Sequence, residues 1–360
     1  MYRIFDYVTI FPMRELILSI IYLSIRKTVI LISYSIQYLK REKRDLEPAI
    51  TFGDTFLCMF RRFPGHQLFF SFSMPKLAPT MLYDLSFPSP ITFAAFKSEV
   101  PIMELWLKLG IGGGCIKTIL KERRTGNPRP RIQEANTKEP LAIINAMGLP
   151  GPGLDYFLDL KRLQKLFKFN RPVGFSVGGC TPKEYKSNAR TILEHIKRNN
   201  ISNTYLEINI SCPNTSEGQN LLSHPEMLKK LLVTLREETA LVIGVKLSPD
   251  QSNDDILRFI DIIKSVERTF VNLGNTQAKL DDRISVGKGG LSGHPLFERT
   301  LEMINLAKPS GLPIIATGGI TDAARLKVAL KNGATLVGIA TALVINPYNI
   351  PHFNKSLTKP

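Results

Sequence analysis

The feature that most constrains this chain is a regular alternation, from residue 85 onward, of short apolar runs of β type with longer amphipathic stretches of helical period. Parallel α/β sheets are written this way, because their strands are buried on both faces and each crossover lays one helical face on the sheet. The apolar runs are residues 91–95, 113–117, 142–145, 173–177, 206–210, 242–247, 269–272, 314–317 and 336–339. Helical stretches between them include 182–199, 225–238, 254–266 and 322–332. Nine runs cover the eight strands of a closed (β/α)₈ barrel, a fold that typically takes about 250 residues. A doubly wound open sheet alternates in the same way, so periodicity does not separate the two.

The polar residues do. Lys117, Asn145, Asn209, Cys212, Asn214, Lys246, Asn275 and the Gly318-Gly319 pair each stand at or just past the end of an apolar run. Active groups of a barrel collect at the C-terminal strand ends, each followed by a loop. A lone strand-end Asn caps or turns, but recurrence over six elements points to one shared site. The expected fold is therefore an α/β (β/α)₈ TIM barrel with an N-terminal helical extension, divided at about residue 80 into 1–80 and 81–360.

Two loops in this scheme suit an anion. Thr317-Gly318-Gly319-Ile320-Thr321-Asp322 runs from a strand into a helix N-terminus. Free N–H groups and the helix dipole favour a phosphate there, and glycine lets the backbone approach it closely. Gly338 to Ala342, with Thr341 and Ala342 at its end, repeats the theme after the last strand, where barrels commonly bind phosphate. Gly289 to Gly293 is a third candidate; each of the three, taken singly, also reads as a turn. Cys212 is different. A buried cysteine is ordinarily an inert small hydrophobe, but here Asn209 and Asn214 flank it with amides suited to a planar, multiply hydrogen-bonding ligand. A thiolate at that place is able to act as a general base.

Residues 16–25 and 28–39 are two apolar stretches separated by Arg26-Lys27 and followed by Lys40-Arg41 and Lys43-Arg44. Neither reaches the ~20 apolar residues of a spanning helix, and one span through both buries Arg26 and Lys27 near its middle. A helix or helical pair on a membrane surface through residues 1–45 is favoured over a plain arm packed on the barrel. Leu46 to Arg62, with Glu47-Pro48 near its start, reads as an amphipathic helix. A net charge of +16 is compatible with nucleic acid, an anionic membrane or anionic small molecules. No nucleic-acid module is written in the chain and its basic residues are dispersed, so no nucleic-acid partner is expected. The four cysteines are far apart and no His stands at ligand spacing, which excludes a zinc site or a disulfide framework as the organising feature. No metal is expected.

Read in order, Gly126-Asn127-Pro128-Arg129-Pro130-Arg131, Ile144-Asn145-Ala146-Met147-Gly148-Leu149-Pro150, the Asn209 to Asn214 segment, Val245-Lys246-Leu247-Ser248-Pro249, Gly289 to Gly293, Gly318-Gly319 and Thr341-Ala342-Leu343 resemble the dihydroorotate dehydrogenase family, over roughly residues 45–350. The resemblance implies an FMN enzyme that oxidises dihydroorotate to orotate in pyrimidine synthesis. It implies that Cys212 removes the C5 proton while the C6 hydride passes to the flavin. Asn145, Asn209, Asn214, Asn275 and Thr276 would hold the substrate. Lys117, Asn209, Lys246, Gly290, Gly293, Gly318, Gly319, Thr341 and Ala342 would hold the cofactor. A cysteine base marks the soluble branch of the family, whereas the extension before the barrel and the Gly289 to Gly293 segment lean toward the membrane-associated, quinone-reducing branch. Quinone is the acceptor if the N-terminal helices form an apolar entrance; fumarate or a nicotinamide nucleotide through a partner subunit are the alternatives. The location follows the branch: a membrane surface (the inner mitochondrial membrane in a eukaryote) or the cytoplasm. A homo-oligomer is expected on base rates alone. One departure stands out: Ala94-Ala95-Phe96 replaces the family's usual Ala-x-Gly after the first barrel strand, so Phe96 is expected to crowd the flavin wall. The competing functions are a flavin enzyme reducing a uracil-like pyrimidine and a barrel binding a phosphorylated ligand without redox chemistry.

Overall fold

Eight of the nine apolar runs close into a parallel barrel, and the ninth leaves it. The computed structural model describes residues 13–135, 141–210 and 219–358. After helices α1 (Arg14–Leu39), α2 (Glu47–Phe60) and α3 (Gln67–Phe70) comes a hairpin, β1 (Thr80–Leu82) and β2 (Leu85–Phe87). The first barrel strand, β3 (Ile91–Phe93), leads through α4 (Val100–Lys108) to β4 (Gly113–Ile119). Strands β5 (Ile132–Glu134) and β6 (Ala142–Asn145) and helices α5 (Leu154–Phe157) and α6 (Leu160–Phe167) intervene before β7 (Val173–Val177). Next come α7 (Pro182–Arg198), β8 (Thr204–Asn209), α8 (Gln219–Ser223), α9 (Pro225–Glu238), β9 (Val242–Leu247), α10 (Asn253–Lys264) and β10 (Thr269–Leu273). The chain finishes with β11 (Gln277–Leu280), β12 (Lys288–Gly293), α11 (Phe297–Ala307), β13 (Ile314–Thr317), α12 (Ala323–Asn332), β14 (Leu336–Ile339), α13 (Thr341–Ile345) and α14 (Asn349–Leu357).

The barrel order is β3-β4-β7-β8-β9-β10-β13-β14, closed by β14 on β3. Every neighbouring pair is parallel. Because β4 pairs directly with β7, the barrel has no gap for Ala142–Asn145. That run finds its backbone partners in a four-stranded antiparallel sheet, β11-β12-β6-β5. Both halves of this sheet are inserted after barrel strands, β4 and β10, so it belongs to the C-terminal mouth where the site lies. At the opposite end the β1–β2 hairpin plugs the floor. Leu82, Leu85 and Phe87 pack with Tyr205, Val242, Phe270, Ile315 and Leu336, the first or second residues of their strands.

The two apolar stretches near the N-terminus form one continuous helix. Arg26 and Lys27 are good helix formers, and Arg26 reaches Glu134 at 3.8 Å. One face of α1 is tied to the rest of the protein along its length. Arg14 donates to Leu68 O, Lys355 pairs with Glu15 at 2.8 Å, Asn346 Nδ2 donates to Ser19 Oγ at 2.6 Å and Gln37 Nε2 donates to Asp45 O at 2.9 Å. The opposite face exposes Leu16, Ile17, Ile20, Ile21, Leu31, Ile32 and Ile36. Among the described residues it is the one helix long and apolar enough to cross a membrane.

Helix α2 begins at Glu47 with Pro48 in its first turn. Its start is clamped by the Gly126 to Arg131 segment. Arg131 grips the Glu47 carboxylate with two bonds, 2.8 and 2.6 Å, Arg129 Nε donates to Asp45 Oδ2 at 2.6 Å, and Leu46 N donates to Ile132 O at 2.9 Å. The arginines of that motif thus serve to dock the extension.

Candidate active site

The glycine loops and the strand-end polar residues converge on one cavity of about 290 Å³ at the C-terminal mouth of the barrel. At one end, Gly318 and Gly319 lie between β13 and α12, and Thr341 and Ala342 open α13 after β14. Asp322 caps α12 by accepting from Arg325 N. Gly319 has φ of 70°, and a Cβ there would lie 2.3 Å from Phe297 N. Only glycine fits this backbone, and Gly318 and Gly319 line the cavity without bringing a side chain to it.

At the other end, Asn145 closes β6, Lys117 lies on β4, Lys246 on β9, and Asn275 and Thr276 follow β10; all line the cavity, with Gly293 of β12 between the two ends. Asn275 Oδ1 accepts from Thr276 N at 2.9 Å, which holds the amide beside its own loop. Lys246 is 5% exposed, and no ion pair holds it among the described residues. A buried ammonium with no carboxylate in direct contact is costly. With Lys117 also lining the cavity, it makes this end a fit for a planar group that takes on negative charge, and the glycine end a fit for a phosphate. The residues present therefore fit FMN.

Two expected residues lie off the cavity wall. Asn209 is buried beside Lys246, its partner in register on the neighbouring strand, and its Nδ2 donates to Thr118 Oγ1 at 2.7 Å while its backbone O accepts from Tyr185 at 2.7 Å. Gly290 packs against Thr276, whose Oγ1 would be 2.0 Å from an added Cβ, so it gives Thr276 room. Cys212 and Asn214 lie outside the described residues. Phe96 does line the cavity, but its ring stacks on Trp106 of α4 with centroids 5.3 Å apart, an aromatic contact that anchors it to the barrel's outer helix.

The cavity also includes residues that sequence reasoning passed over. Lys97 and Glu99 follow β3, so the strand-end rule was able to find them. Asp54 comes from α2 and gave no such signal. Lys97 and Asp54 form an ion pair between the barrel and the extension. Burial pushes the Asp54 carboxyl up, and the nearby Lys97 offsets this only in part. Glu99 is pushed up by burial but drawn down further by Lys97, backbone donors and Lys117, ending below the usual range.

This pair has a second neighbour. A mainly apolar tunnel of about 200 Å³ runs between α1, α2 and the barrel, walled by Tyr22, Ile25, Val29, Phe56, Leu57 and Trp106. Ile50, Asp54, Lys97 and Val344 line both spaces. The tunnel therefore abuts the polar cavity at an ion pair.

The dihydroorotate dehydrogenase family model matches residues 77–359. The catalytic subunit of dihydroorotate dehydrogenase B (NAD(+)) from Anoxybacillus flavithermus is 33% identical over 251 residues, covering 67% of this chain and 77% of that protein. Dihydroorotate dehydrogenase (quinone) from Nautilia profundicola is 28% identical over 284 residues, covering 77% of each. The crystal structure of DHODH from Eimeria tenella in complex with ferulenol superposes with a TM-score of 0.74 at 20% identity, over 88% of this chain and 92% of that one. That likeness is one of fold.

Proposed function

The chain belongs to the dihydroorotate dehydrogenase family, and from that premise we propose that Cys212 is its catalytic base, that its electron acceptor is a quinone reached through the apolar tunnel, and that α1 lies on a membrane surface. The reaction is the FMN-dependent oxidation of dihydroorotate to orotate. FMN, when bound, accepts the hydride equivalent that the substrate carbon loses. The chain's own residues do the rest. Gly318, Gly319, Thr341 and Ala342 hold the phosphate, Lys117 and Lys246 stand against the ring system, and Asn145 and Asn275 orient the substrate with Asn209 and Asn214. Cys212 takes the proton from the neighbouring carbon as its thiolate.

The observation that carries the acceptor reading is the shared wall of cavity and tunnel at Asp54 and Lys97. A ligand passing between α1 and α2 meets mainly apolar surface, with Arg26 of α1 also in the wall, until it reaches the polar end, which suits a quinone head on an isoprenoid tail. The tied inner face of α1 argues for lying on the membrane over crossing it, since Ser19, Arg26 and Gln37 bond to the body of the protein. A nicotinamide acceptor reached through a partner subunit is the second reading, supported by the relative at 33% identity and by the cysteine at position 212.

Anaerobic mixing of the FMN-loaded protein with dihydroorotate, followed by flavin absorbance, is the test of the half-reaction; bleaching is expected, and an oxidised spectrum that persists would remove the substrate. Re-oxidation is then compared with a short-chain quinone and with NAD(+). Faster recovery with quinone is expected. Cys212→Ala should retain flavin and slow bleaching on the order of 10²-fold or more; full-rate bleaching would take Cys212 out of the reaction.

A further inference from the structure

The interior of a (β/α)₈ barrel is ordinarily filled by layers of branched apolar side chains. The floor of this barrel follows that rule with Tyr205, Val242, Phe270, Ile315 and Leu336. The next layer departs from it. Two residues further along their strands stand Glu207 on β8, Asn272 on β10 and Thr317 on β13, all buried. Glu207 is 1% exposed. Its Oε2 accepts from Asn272 Nδ2 at 2.6 Å, and Asn272 Oδ1 accepts from Thr317 Oγ1 at 2.8 Å. Thr317 is part of the wall of the cofactor cavity. The other carboxylate oxygen, Oε1, is buried and has no hydrogen-bond partner.

A buried acid held only by neutral donors, here Asn272 and the Cys115 thiol, needs a cation nearby or it neutralises itself. Lys246 is on the adjacent strand. Glu207 pairs in register with Gly244, and Asn209 with Lys246, so the lysine stands one layer above the acid, at the cavity floor. The Cys115 thiol reports on both. Burial raises it most, Glu207 raises it further and Lys246 lowers it, which puts acid and ammonium within electrostatic reach of the same atom. The titratable groups around Glu207 are Cys115 from β4, Tyr205 from its own strand and Lys246 from β9; Asn272 and Thr317 carry no charge.

We propose that Glu207 is a positioning residue for the flavin's redox chemistry: a buried counter-charge to Lys246 that offsets part of the lysine's pull on the cavity and so sets how much more tightly the site holds reduced than oxidised FMN. The proposal rests on the reading of Lys246 as a flavin-facing cation. The two charges maintain each other. With Lys246 present the acid stays ionised and moderates the site; with Lys246 removed the acid takes a proton, and its charge no longer acts.

The experiment is the midpoint potential of bound FMN in the wild-type protein, Glu207→Gln, Lys246→Gln and the double variant. Gln keeps an acceptor for Asn272 Nδ2 and nearly the same volume. Glu207→Gln should strengthen the preference for reduced over oxidised FMN about tenfold, a rise of about 30 mV for a two-electron couple. The same substitution in the Lys246→Gln background should change nothing. No shift in the wild-type background, or an equal shift in both, overturns the proposal. If Lys246→Gln itself leaves the potential unchanged, the flavin-facing role of Lys246 fails instead. Infrared spectra give a reading that needs neither FMN turnover nor the Glu207 variant to fold. Lys246→Gln should gain a protonated-carboxyl band that the wild-type protein lacks, and its absence overturns the pairing.

Discussion

Single residues in this site are constrained more by backbone than by charge. Gly319 is the clearest case, since its φ of 70° and the 2.3 Å that an added Cβ would have to Phe297 N leave no room for alanine. Gly319→Ala is expected to cost roughly 1–3 kcal/mol through the forced backbone and to open the phosphate end of the cavity. The protein should then purify with less than half the wild-type FMN content, measured by flavin absorbance after denaturation. Full occupancy would move the phosphate site elsewhere. Phe96 shows the opposite lesson, because a bulky residue at a position where the family has glycine is accommodated by a neighbour, Trp106, that the local sequence does not identify. Lys97 and Glu99 were legible as strand-end residues. Asp54 was not, since its role depends on where α2 docks.

Among the elements, α2 is the piece that joins the extension to the barrel, and it is pinned at both ends. The Arg131–Glu47 clamp holds its start. Its end is held by the buried Glu104 of α4, which pairs with Arg61, with Lys168 at 2.7 Å and with Lys108 at 3.7 Å. Burial pushes the Glu104 carboxyl up, but Lys168, Arg61 and Lys108 together draw it below the ordinary range. Its folded value is depressed, so its contribution to stability is present above the unfolded glutamate value of about 4.5 and is lost as the pH falls through the lowered folded value. Glu104→Gln leaves three cations around a neutral group and should cost roughly 3 kcal/mol at neutral pH. The gap between wild type and variant should narrow in acid. Thermal melts from pH 7 to 3 check this, and a gap that does not change with pH would show that packing, not charge, pins the helix. The pairing of Ala142–Asn145 belongs to this scale too. Its composition reads as a barrel strand, and only the direct pairing of β4 with β7 sends it to the side sheet.

At the scale of the whole molecule, the barrel supplies the polar cavity and the extension supplies the apolar approach to it. The outward face of α1 and the exposed Phe52, Phe56 and Met59 of α2 form an apolar surface beside the tunnel, with Arg26, Lys27, Lys40, Arg41, Lys43 and Arg44 near it in sequence. Such a face, flanked by basic residues, suits an anionic bilayer surface. The full chain should therefore bind vesicles containing anionic lipid, less so at high salt. Ile17→Ser, Ile20→Ser and Ile32→Ser together should weaken that binding at least tenfold, since each apolar side chain contributes roughly 1.5–3 kcal/mol when fully buried. FMN content should stay unchanged. Equal binding by the triple variant in a flotation assay would remove this face from the membrane reading.

The barrel was legible in the sequence because its strands are buried on both faces and its active groups sit at strand ends, two patterns that act locally along the chain. The glycine loops were legible for the same reason: a positive φ or a close approach leaves glycine as the residue of choice. Asn145, Asn275, Lys117 and Lys246 could be named from the order of their runs, and the structure brings them to one cavity. Only the tertiary structure decided that the ninth run leaves the barrel, that the two apolar stretches form one helix, and that the arginines of the Gly126 to Arg131 segment hold α2. It alone joined Asp54 to Lys97 and set Glu207 beneath Lys246. These are contacts between segments far apart in the chain, and their energies come from burial and charge pairing that no local pattern records.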